Sequence, residues 1–204
     1  MWQERLSEFV TLFLVIDPVG VIPSYLALVH ALKPAAQRRI AINAVMVAFA
    51  VLIFFMFAGG FLLKHMGIPL RAFQIAGGIV LFIVALDMVR GEHPLPTDEG
   101  KSHFDLAVYP IAIPKIAGPG AMLAVLLLTD DDRGYVWEQF GTVGVIAVIM
   151  AIQLFLLFAA VPIFRVIGQG VANVIGRVMG LLLAALAVSL VLTAIGQWLN
   201  LPAL

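Results

Sequence analysis

The chain has 204 residues, 63% of them hydrophobic and 12% charged, and its basic and acidic side chains cancel to a formal net charge of zero. Its mean hydropathy is +1.10, and an ordinary soluble domain carries about twice that charged fraction, so the composition is that of an integral membrane protein. Zero net charge leaves no electrostatic footprint for nucleic acid or an anionic surface, and the absence of cysteine excludes disulfides, thiolate nucleophiles and cysteine metal sites.

The start, Met1-Trp2-Gln3-Glu4-Arg5, has no basic n-region, and no small-residue cleavage site follows it, so the first apolar stretch reads as a retained membrane helix. Crossing the hydrocarbon core takes about 20 mainly apolar residues, and six segments approach that length: 7–31, 39–63, 72–89, 106–129, 140–164 and 175–199. The first is interrupted by Asp17-Pro18-Val19-Gly20-Val21-Ile22-Pro23. The second gives way to the turn Lys64-His65-Met66-Gly67-Ile68-Pro69. The fourth is interrupted by Pro114-Lys115-Ile116-Ala117-Gly118-Pro119-Gly120, and the fifth is expected to stop near Pro162.

The polar stretch from Arg90 to Asp105 separates two groups of three helices. The expected organisation is a first repeat over 1–90, a linker over 91–105 and a second repeat over 106–204. A shift of 101 residues lays Pro18 on Pro119 and Gly20 on Ala121. A shift of 102 lays Gly78 to Asp87 on Gly180 to Ser189. Three helices per repeat force the halves into opposite orientations, so the expected fold is an all-α membrane protein of six transmembrane helices. They form two inverted repeats of three, with helices 1 and 4 broken into half-helices. Basic residues number six on the loop side opposite the termini (Lys33, Arg38, Arg39, Arg90, Lys101, Arg165) and four on the other, which predicts both termini outside.

Proline removes a backbone donor and glycine relaxes the chain, so each break predicts an unwound turn, tolerable in a bilayer only where protein or a polar cavity covers it. Asp17 is expected at the N-cap of the second half-helix with Pro18 at its first position, and Gly118-Pro119 repeats that geometry. The half-helix N-termini then attract an anionic group, while the carbonyls near Ile16 and Ala117, with Asp17, suit an ammonium group or a coupling ion, Na+ or H+. Together these poles fit a small zwitterion. Gly20, Gly118, Gly120 and Ala121 leave room for a short side chain. The candidate substrate-binding residues are Asp17, Pro18, Val19, Gly20, Pro23, Ala117, Gly118, Pro119, Gly120 and Ala121.

Blander readings stand beside these. Asp17 can be a plain cap, the prolines can be packing kinks, and the glycines can be close-packing residues. Lys115 either snorkels to the interface or faces the interior and pairs with Asp17 or Asp87. Asp87 reads as an interfacial partner of Arg90 at i,i+3. Asn43 and Gln153 are second-tier candidates whose default is interhelical hydrogen bonding. The cluster Asp130-Asp131-Asp132 reads as a solvated loop. Neither a nucleophile constellation, a phosphate loop nor a His-Glu-x-x-His helix occurs, so neither an enzyme nor a metal or organic cofactor is expected.

The runs Asp17 to Pro23 and Ile113 to Ala121 resemble the paired motifs of the MarC family, as do Ile75-Ala76-Gly77-Gly78-Ile79 and Gly180-Leu181-Leu182-Leu183-Ala184. The resemblance covers about Phe9 to Ile195. It implies six helices in two inverted repeats, a place in the inner membrane of a bacterium or archaeon, and a substrate site built from the turns at Asp17 to Pro23 and Pro114 to Ala121. Some members transport small neutral amino acids such as glycine and alanine. The expected function is therefore a secondary transporter or exporter of that class, working by alternating access, with the lipid bilayer and a zwitterionic solute as partners and a homo-oligomer allowed. The alternatives are an exporter of drugs or other small amphiphiles, which needs a roomy apolar cavity, and a membrane scaffold without a cavity.

Overall fold

The computed structural model describes residues 2–29, 32–91, 102–129 and 136–199. Every element among them is helical: α1 (Trp2–Ile16), α2 (Val21–Val29), α3 (Pro34–His65), α4 (Leu70–Arg90), α5 (His103–Leu106), a π-helical segment (Ala107–Ile116), α6 (Pro119–Thr129) and α7 (Val136–Trp198). Residues 92–101 of the expected linker, the cluster Asp130-Asp131-Asp132, and His30 and His93 lie outside the described residues.

Among the described residues, four stretches are long and apolar enough to cross a membrane: Pro34–His65, Leu70–Arg90, Gln139–Pro162 and Gly176–Trp198. The pair His103–Ile116 and Pro119–Leu128, bent by 55°, makes a fifth when taken as one broken span. The fifth span ends at Pro162 as expected, at Gln139–Pro162, although the helical backbone of α7 continues through that proline. An interior proline removes one N–H and its ring crowds the carbonyl four residues back, and such a proline is tolerated in a membrane helix where neighbouring groups satisfy the freed carbonyl.

The α3–α4 turn forms where its breakers predict. Met66 N–H donates to Leu62 O at 3.0 Å, Ile68 N–H donates to Leu63 O at 2.9 Å, and α4 starts just past Pro69. Along α3, Ile40, Ala44, Ala48 and Leu52 recur every fourth residue and are fully buried, whereas Phe54, Phe57 and Phe61 are exposed. A helix apolar on every side suits lipid on one face and protein on the other. Lipid is as apolar as leucine, so the contacts that hold such helices together are van der Waals packing and interhelical hydrogen bonds.

The seam between α4 and α7 has both. Gln74 Nε2 donates to Leu190 O at 3.2 Å. A Cβ added at Gly78 would lie 2.7 Å from Val191 Cγ2, 3.1 Å from Ala187 O and 3.6 Å from Leu190 Cβ. One added at Gly180 would lie 3.0 Å from Val89 Cγ2, 2.9 Å from Ala85 O and 2.9 Å from Met88 Cβ. Moving every index by 102 turns the first set of contacts into the second. The helices meet antiparallel, each with its glycine against the other's alanine carbonyl.

Candidate functional site

The first break is organised around Asp17. Its backbone has φ +49°, a left-handed conformation that Asp and Asn tolerate better than most residues. Asp17 N–H donates to Phe13 O at 3.0 Å, ending α1, while Asp17 Oδ1 accepts from Gly20 N–H at 3.0 Å and Asp17 O accepts from Val21 N–H at 3.3 Å. One residue thus closes α1 and caps the chain that becomes α2. The regular helix begins at Val21, not at Pro18 as expected, because residues 18–20 form a tighter turn in which Ile22 N–H reaches Val19 O at 3.1 Å. Gln153 Nε2, fully buried on α7, lies 3.5 Å from Pro18 O, a long contact.

The second break is built differently. The π-helical segment contains two residues with extended backbone, Tyr109 and Ile113, and the Ile113–Pro114 peptide is cis. Ala117 N–H closes the segment on Ala112 O at 2.8 Å. From there α6 begins at Pro119, and Gly118 O accepts from Met122 N–H at 2.9 Å, the geometry expected of Gly118-Pro119. The first turn of α6 leaves the N–H groups of Gly120 and Ala121 without intrahelical acceptors. A Cβ at Gly118 would collide with the Pro114 carbonyl, and one at Gly120 would come within 3.0 Å of Leu81 Cδ2. Both glycines are therefore also close-packing residues.

The two breaks meet at one cavity of about 30 Å³. Of the residues singled out from the sequence, Asp17, Gly20, Gly118, Pro119, Gly120 and Ala121 line it, and so does Lys115. Pro18, Val19, Pro23, Ala117, Asn43, Asp87 and Gln153 do not. Sequence reasoning missed the apolar walls, Leu81, Val84 and Met88 from α4 and Leu183 from α7. For Leu81, Val84 and Leu183 the only signal was the alignment of Gly78 to Asp87 with Gly180 to Ser189, which does not say which faces turn to the breaks, and Met88 lies just outside it.

The polar groups are few. Asp17 is 5% exposed, its Oδ1 is held by Gly20, and its Oδ2 is buried without a partner. Ser24 Oγ and Gln153 Oε1 are likewise buried and unpartnered. Lys115 is half-buried inside the bundle instead of snorkelling, and its ammonium feels the carboxylate of Asp87 foremost and that of Asp17 next. Asp87 forms no ion pair with Arg90 among the described residues, contrary to the i,i+3 expectation.

The profile of the MarC family, described as integral membrane proteins, matches residues 2–199. The chain belongs to the MarC family. Among its relatives, the UPF0056 membrane protein of Aquifex aeolicus is 33% identical, with 98% of each chain covered. YvbG of Bacillus subtilis, also a UPF0056 membrane protein, is 33% identical over 94% of this chain and 93% of its own. MJ0972 of Methanocaldococcus jannaschii is 34% identical over 92% of this chain and 84% of its own. No solved structure matches. The MarC match runs through both breaks and the α4–α7 seam, so the cavity lies within the matched residues.

Proposed function

We propose that this MarC-family protein is a secondary transporter of small neutral amino acids, of the glycine, alanine and serine class, carried by alternating access through the cavity between the two breaks. The observation that carries the reading is the meeting of both interrupted helices at one cavity, with an acid on one side and a helix N-terminus on the other. Half-helix ends near the bilayer centre are a recurrent way to hold polar solutes. The small cavity favours a solute with a short side chain over a drug-sized amphiphile. About 30 Å³ holds little more than water, so a solute is admitted when one break rocks away from the other.

In this reading α1 with α2, α3 and α4 form one repeat, and the chain from α5 onward forms the other, with α7 contributing two crossings. The exchange of contacts between Gly78 and Gly180 under a shift of 102 supports an axis relating the halves in the plane of the membrane. The membrane is the cytoplasmic one, with both termini outside and Na+ or H+ as coupling ion. Uptake of labelled glycine and alanine into proteoliposomes, under imposed sodium and proton gradients, tests the proposal. Saturable uptake of both is expected, and none under any gradient would sink it.

A further inference from the structure

Two groups of opposite charge line the cavity, and among the described residues each has a polar atom without a direct protein partner. Asp17 Oδ2 is buried without a hydrogen bond. Lys115 lines the same cavity and, among the described residues, makes no direct hydrogen bond or ion pair. Asp17 is pinned by its left-handed backbone and by the Gly20 N–H on Oδ1. Asp87, the carboxylate with the larger electrostatic influence on Lys115, stands on α4 and does not line the cavity. The cavity is thus lined by one acidic and one basic side chain, Asp17 and Lys115.

Unpaired charges this deep are costly and are retained where something pairs with them. A hydrocarbon amphiphile cannot. A simple cation meets Lys115 and a simple anion meets Asp17, each with like-charge repulsion. A small molecule carrying both an ammonium and a carboxylate pairs with both at once.

We propose that Lys115 is the carboxylate-recognising, specificity-determining residue of the site, and that with Asp17 opposite it the cavity selects zwitterions over their amides and esters. The inference rests on the transport reading above and sharpens it. The carboxylate is held by a full charge in addition to the Gly120 and Ala121 N–H groups, and the ammonium points to Asp17. The second break therefore sets what is bound, beyond admitting a solute.

The test is uptake of labelled alanine by proteoliposomes of the wild-type chain and of Lys115→Met, with unlabelled alanine and alaninamide as competitors. Alaninamide keeps the ammonium and lacks the carboxylate. Loss of one charge-assisted contact predicts a KM for alanine raised by roughly tenfold or more in the variant. The wild-type preference for alanine over alaninamide should shrink by a similar factor, which a merely structural lysine would not produce. Lys115→Gln, which keeps a donor without the charge, carries the same comparison if the Met variant does not survive purification. Lys115→Arg should restore the preference. No alanine uptake by the wild-type protein overturns the transport reading. Wild-type uptake together with unchanged KM and unchanged preference in the variants overturns the assignment of Lys115 alone.

Discussion

Gly78 and Gly180 occupy exchanged positions on the α4–α7 seam, each lying against an alanine carbonyl and a valine of the opposite helix. A methyl at either place must push two packed helices apart, and overpacking of this kind costs about 1–3 kcal/mol. Gly78→Ala and Gly180→Ala should therefore lower the thermal unfolding temperature in detergent by comparable amounts. Gly196→Ala is the control, because nothing lies within 4 Å of its added Cβ. It should be neutral or slightly stabilising, since alanine is the better helix former. A large difference between the two seam variants would contradict the equivalence of the two sides.

Asp17 has two separable roles, backbone and charge. Asn keeps the left-handed conformation and an oxygen for the Gly20 N–H but has no charge. Asp17→Asn should fold normally and lose most uptake. Asp17→Ala gives up the cap as well, so it should also lose about 1–2 kcal/mol of stability. Uptake by the Asn variant at the wild-type rate would reduce Asp17 to a cap.

Gly20 has no room for a side chain, because an added Cβ would overlap the Asp17 carboxylate. Gly20→Ala should displace that carboxylate and abolish uptake; the added Cβ also meets Met88 Cε at 2.8 Å, so the Gly180 end of the α4–α7 seam is disturbed while the Gly78 end stays intact. Uptake kinetics compared with a protease-protection pattern would separate the local effect from global unfolding.

The end of α2 is held by Gln37, whose Nε2 donates to Val29 O at 2.9 Å and Leu32 O at 3.0 Å, while its own carbonyl accepts from the Tyr25 hydroxyl at 2.9 Å. Gln37→Leu leaves two carbonyls without this donor and should cost about 1–3 kcal/mol. Tyr25→Phe removes one bond, to the backbone carbonyl of Gln37, which lies within α3 and keeps its intrahelical donor, so its effect should be smaller. Thermal unfolding of the two variants checks the order.

Both breaks were legible because proline and glycine act locally: the loss of an N–H at Pro18 or Pro119 is a property of the residue itself. The Gly118-Pro119 cap was legible for the same reason. The left-handed backbone of Asp17 was not, because an Asp before a proline is equally compatible with an extended cap. The direction of Lys115 was undecidable, since a lysine stem can follow lipid or turn inward, and the choice depends on the cavity that the packed breaks leave beside it. The run of α7 through Pro162 was missed because a proline's cost depends on what surrounds the freed carbonyl. The walls Leu81, Met88 and Leu183 look like any other apolar residues until the seam sets which face meets the breaks.

The chain has no cysteine, so a single one placed at Ala121, where α6 meets the cavity, reports on that site alone. The most direct measurement is the rate at which a small thiosulfonate labels Ala121→Cys in proteoliposomes with and without alanine. A solute bound between the breaks predicts labelling slowed about tenfold at saturating alanine, the occupied fraction being closed to the reagent. Labelling at the same rate whatever the alanine concentration would contradict it.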